Sequence, residues 1–97
     1  MLPRDLRPAA IEAQLVAAFP DSQIQVRDDS HKHIGHEGAK DGRGHFHIQV
    51  ISTAFIGKRP LARHRMLYAA LEQLMQSDIH ALSIQALSPE EAQEPRA

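Results

Sequence analysis

The sequence has no cysteine and no tryptophan, and aromatic residues make up only 4% of it. Without thiols there is no disulfide framework, no thiolate nucleophile and no metal site built from this chain's own thiolates. With so few rings, there is no row of aromatics on which nucleic-acid bases would stack. No apolar stretch approaches the roughly 18 residues of a membrane span. The opening MLPRDLRPAA also lacks the apolar run of a signal peptide, so a cytoplasmic location with no membrane contact is expected. Charge of one sign is missing as well. Eleven basic residues against twelve acidic ones leave a net charge of -1, which gives no global field to attract nucleic acid or anionic lipid.

What the chain does have is histidine. Seven occur in 97 residues, and protonating all of them would carry the net charge from -1 to +6. A hydrophobic share of 42% with 24% charged residues is the composition of one small soluble domain. Residues 1–7 and 93–97 read as flexible ends, and residues 8–92 as the domain.

Pro8 suits a first helical turn, and Ile11, Leu15, Ala18 and Phe19 follow at helical spacing until Pro20. Over 22–28, Ile24 and Val26 alternate with Gln23, Gln25 and Arg27, the period of a half-buried strand. A long polar loop follows, DDSHKHIGHEGAKDGRG, with no apolar period. Over 45–52, Phe46, Ile48 and Val50 oppose His45, His47 and Gln49, which predicts a second strand in a hairpin with the first. From 60 to 75 the stripe Leu61, His64, Leu67, Tyr68, Leu71, Leu74 and Met75 predicts one helix with His64 as a hydrogen-bonded core residue. Over 79–87, His80 shares parity with Leu82, Ile84 and Ala86 in a third strand, so periodicity alone favours burial of His80. In SPEE, Ser88 is placed to cap a short last helix, with Pro89 at its first position and Glu91 completing a capping box. Three strands whose apolar parity needs helical cover imply a two-layer α+β domain, with Gln25, His47, Gln49 and Gln85 on a sheet face open to water.

The stretch FIGKRPLARHR, residues 55–65, resembles the F-x-G-x-x-x-x-x-R-H-R signature of the BolA family. SHKH at 30–33, the His45–Phe46 pair, HAL at 80–82 and SPEE follow in the family's order, so the likeness spans about residues 8–92. It implies a fold similar to class II KH domains, with a three-stranded mixed sheet and helices on one face, and a non-catalytic role. It also implies a monothiol glutaredoxin as partner and a [2Fe-2S] cluster shared with it and with glutathione. The family's cluster ligands, carried over, are His80 and the loop residue His33, with His36 as the alternate.

The chemistry is consistent with that implication. Two imidazoles can replace two thiolates on one iron of such a cluster. A chain without cysteine supplies imidazole nitrogen but no thiolate, so the thiolate ligands must come from a partner. On this reading the free protein, a monomer or weak homodimer, holds no stable cluster, and the shared cluster loosens below about pH 6 as the imidazoles protonate. Two other readings stand beside it. Lys58, Arg59, Arg63 and Arg65 surround a helix start that favours anions, which makes DNA an alternative partner and transcriptional regulation an alternative function. Pro60 stands where the GXXG clamp of a KH domain has its second glycine, which weakens that alternative. His31, His33, His36, His45 and His47 could also converge on zinc or nickel within one chain. No nucleophile elbow, Walker loop or HExxH motif points to an enzyme, and Asp28, Asp29, Glu37 and Asp41 have no spacing that fixes a catalytic carboxylate pair.

Overall fold

The computed structural model describes residues 1–30 and 42–93. A 3-10 turn at Arg4–Leu6 leads into α1 (Arg7–Ala18), β1 (Gln23–Asp28) and β2 (Gly44–Ile51). A second 3-10 turn (Thr53–Phe55) is followed by α2 (Pro60–Ala70), α3 (Glu72–Ser77), β3 (Ile79–Leu87) and α4 (Pro89–Gln93). The expected hairpin is present, with Ile24 opposite Val50 and Val26 opposite Ile48 in antiparallel register. β2 is central and pairs with β3 in parallel, so the sheet order is β1-β2-β3. A parallel pair needs a crossover, which α2 and α3 provide.

The alternation in β2 sorts its side chains as the sequence requires. Phe46, Ile48 and Val50 are buried, while His45, His47 and Gln49 face the other way and are half-exposed. The buried set meets Ile11, Leu15 and Phe19 from α1, Leu67 and Leu71 from the crossover, and Phe55 and Ile79, in one core. On the open face the Gln49 side-chain N–H donates to Gln85 across the β2–β3 pair at 2.8 Å. The result is a two-layer α+β domain with a three-stranded mixed sheet.

Two expectations are corrected. The helix anticipated over 60–75 is two, because Leu71 leaves helical geometry at φ -104°, ψ 13°. Hydrogen bonds from Leu71 to Leu67 and from Met75 to Leu71 keep the halves nearly continuous. The face that α2 buries also differs from the expected stripe. Leu61 is 62% exposed and Tyr68 40%, His64 is half-buried rather than core, and Arg63 takes the inward position beside Leu67. At the N-terminus, Leu2 and Arg7 contact Asp78. Arg7 opens α1 and is buried, its Nε lies 3.2 Å from Asp78 Oδ2, and the Leu2 N–H donates to the same oxygen at 2.7 Å.

The closing SPEE segment forms the expected capping box. The Glu91 N–H donates to Ser88 Oγ at 3.3 Å, and the Ser88 N–H donates to Glu91 Oε1 at 2.7 Å. Glu91 also receives Arg63 Nη1 at 2.6 Å. The Arg63 hydrogen bond, together with the Ser88 N–H, holds the Glu91 carboxyl down at about 2. At Asp78, burial pushes the carboxyl up. Hydrogen bonds from the Ser77 hydroxyl and the Leu2 N–H, with the charge of Arg7, outweigh that and leave it below its ordinary value.

Two predictions follow from these ion pairs. Asp78→Ala strands the buried Arg7 guanidinium and should lower unfolding free energy by about 3–5 kcal/mol, measured by denaturant titration. A Glu91 carboxyl lowered on folding contributes stability that is complete above its ordinary value of 4.5 and is lost as pH falls toward 2. Glu91→Gln should therefore flatten the acid limb of a stability-versus-pH curve between those values, while an unchanged limb would remove Glu91 as its source.

Candidate functional site

The ends of β2 and β3 nearest the loop bring histidines together. Between the Gly44–Ile79 and His45–Ala81 pairs the ladder shifts register, so β3 spends two residues where β2 spends one. His80 is the extra residue of this bulge. A bulge re-aims the side chain it carries, and His80 is accordingly exposed although Leu82 and Ile84, which share its parity, pack against the core. Burial of His80, which periodicity favoured, does not occur, because alternation fails across a bulge. β3 is an edge strand, so this imidazole stands at an open border of the sheet.

The His45 ring lies beside it, with ring centres 5.1 Å apart and planes inclined by 53°. The backbone of His45 is held from both sides: its N–H donates to Ser30 Oγ at 3.0 Å, and its carbonyl accepts from the Asp29 N–H at 2.8 Å. Arg43 completes the group, with Nη2 at 3.3 Å from His80 Nδ1 and Nη1 reaching the Met75 carbonyl at 3.5 Å. A guanidinium only donates, so His80 Nδ1 presents its lone pair to Arg43, and a neutral His80 ring carries its proton on Nε2. His47, two residues along, is engaged with Ser83, Nδ1 to Oγ at 3.0 Å.

The other expected residues divide. His31, His33 and His36 lie outside the described residues. Among the described residues no cluster of three or more histidine and carboxylate groups is arranged to hold a metal. Of the basic run, Lys58, Arg59 and Arg65 are exposed, but Arg63 is not available to an anion. Its guanidinium donates to the Lys58 and Ala86 carbonyls at 2.8 and 3.0 Å, pairs with Glu91, and lies 5.9 Å from the Phe55 ring centre. Sequence spacing could not see this, because Glu91 is 28 residues away. The pairing of His45 with His80 was also missed. Its only signal in the sequence is that both open strands that become neighbours, which needs the register to be known.

The family profile described as BolA-like protein matches residues 15–91. Human BolA-like protein 1 is 37% identical over 81 residues, covering 84% of this chain and 57% of that protein. The chloroplastic and mitochondrial SufE-like protein 1 of Arabidopsis thaliana is 36% identical over 86 residues, covering 84% of this chain and 23% of that protein. The chain thus spans only part of the length of these two relatives. The solved BolA domain of SufE1 from Arabidopsis thaliana superposes with a TM-score of 0.77 at 34% identity, covering 94% of this chain and 99% of that one. The chain belongs to the BolA family. No helix among the described residues is long and apolar enough to cross a membrane.

The entry to β2 leaves no space for a side chain at Gly44. A Cβ there would stand 2.7 Å from both Ser30 Oγ and Phe46 Cε2. Gly44→Ala should displace the serine that holds His45 and cost about 1–3 kcal/mol. It should also shift the His45 and His80 ring resonances, read by two-bond proton–nitrogen correlation spectra.

Proposed function

We propose that this chain is a non-enzymatic adaptor that binds a monothiol glutaredoxin and contributes nitrogen ligands to a [2Fe-2S] cluster shared with it and with glutathione. The observation that carries the reading is His80: an imidazole turned outward by a bulge on an edge strand, in a chain of the BolA family that has no cysteine. An exposed ring at a sheet border is accessible to a centre held mainly by another protein. A ring sealed under the core would not be. The donor set also fits the group, since nitrogen from this chain complements thiolates supplied from outside.

Within that reading His80 is one ligand and His33 the second, with His36 as its alternate. The cluster, when bound, supplies electron-transfer or transferable iron and sulfur chemistry. The protein's part is to present the imidazole and to dock the partner. Burial of Arg63 removes one cation from the surface on which the DNA reading was built, so the adaptor reading is preferred.

Mixing the full chain with a monothiol glutaredoxin and glutathione during cluster reconstitution tests this. Visible absorption and circular dichroism should differ from those of the glutaredoxin homodimer, and His80→Ala should return the homodimer spectrum. A mixture whose spectrum equals that of the glutaredoxin alone would overturn the proposal.

A further inference from the structure

Two strands border the sheet, and they are guarded unequally. β1 is short and carries Arg27 and Asp28, the kind of charge that keeps an edge from pairing. β3 runs nine residues, Ile79–Leu87, with no Lys, Arg, Asp, Glu or Pro among them. Its backbone direction alternates. The Leu87 carbonyl accepts from the Ser52 N–H just past β2, and the Ala86 carbonyl points the other way, to Arg63 Nη1 at 3.0 Å. By the same alternation the N–H and carbonyl groups of Leu82 and Ile84 point outward, with no strand beyond them among the described residues. We infer that this stretch of β3 is a self-pairing edge, to which a second copy of the chain adds its own β3 in antiparallel register.

Symmetry and charge both select a second copy. An antiparallel pair centred on Ser83 sets Leu82 opposite the partner's Ile84, and Ile84 opposite the partner's Leu82, so that each pair exchanges both backbone hydrogen bonds. Both side chains are half-buried and pack against the core, so the pairing carries the apolar layer across the junction. The residue at the centre, Ser83, is small and meets only itself. The flanks set the direction. Arg43 stands 3.3 Å from His80 where β3 begins, and the exposed Glu90 lies in the first turn of α4, just after β3 ends. Antiparallel pairing brings the basic flank of each copy toward the acidic flank of the other, whereas parallel pairing sets like charge on like.

Two features of the fold limit the ladder. The bulge at His80 interrupts regular pairing at one end, and Arg63 occupies the Ala86 carbonyl at the other. What remains is a short strand pair, smaller than the roughly 1,000 Å² that a stable complex buries, so the dimer is transient and depends on concentration. It also occupies the border on which His80 stands, and so it competes with any partner that approaches that imidazole.

The full chain alone suffices for the test, so the outcome is separate from that of the glutaredoxin proposal. In sedimentation equilibrium at rising concentration the mass should climb from 10.8 kDa toward twice that value. Hydrogen exchange at the Leu82 and Ile84 amides should slow over the same range. Ser83→Lys sets two ammonium groups against each other at the centre and should weaken association roughly tenfold. Should that change disturb the sheet, Glu90→Arg lies outside it and should weaken association severalfold, as should added salt. A chain that stays at the single-copy mass throughout, a dimer that both variants leave intact, or amides at Leu82 and Ile84 that slow only once a glutaredoxin is added would overturn the inference.

Discussion

The carboxylate of Asp78 is the constraint on which the site depends. It sits at the junction of α3 and β3, is almost fully buried, and gathers the Arg7 guanidinium and the Leu2 N–H from the other end of the chain. Its backbone extends the same junction, with its N–H donating to the Leu74 carbonyl and its carbonyl accepting from Gly44. A buried charge of this kind persists only when its partners are complete. The carboxylate's partners here come from α1, from the segment before it and from the Ser77 hydroxyl, while the entry to β2 bonds its backbone. The start of β3 is therefore fixed one residue before the bulge that turns His80 outward, and the exposure of that ring depends on an interaction that never touches it.

A second junction explains why the family signature has its form. Phe55 is a core residue, Gly57 adopts a positive φ of 73° that suits glycine, and Arg63 ties the helix start to β3 and α4. Most of the motif thus serves to lock the crossover onto the sheet. Arg65, with Lys58 and Arg59, remains at the surface. A cationic cluster in sequence became one internal ion pair and three exposed cations once the chain folded.

The two junctions leave His80 exposed at the loop end of the sheet, while the capping box stands at the opposite end. That division of labour suits a protein whose chemistry is completed by another molecule. The His45 and His80 rings stand on neighbouring strands, and β3 forms an edge of the sheet. Arg43 Nη2 stands 3.3 Å from His80 Nδ1 at this end of the sheet.

Most of the architecture was legible in the sequence, because two-residue and helical periods report local burial directly. The strands around Ile24, Ile48 and Ile84 and the Ser88–Glu91 cap all stand close to where those periods and the cap chemistry put them. The helix break at Leu71 was not legible, nor was the inward turn of Arg63, since both depend on how the crossover meets the sheet. Sequence alone settled that this chain offers imidazole nitrogen and no thiolate, and that it folds as an α+β domain of the BolA family. Only tertiary structure decided which nitrogens meet: strand pairing brought His45 to His80, and a one-residue bulge overrode the alternation that would have buried His80. Register is set by long-range packing, and no local pattern encodes it.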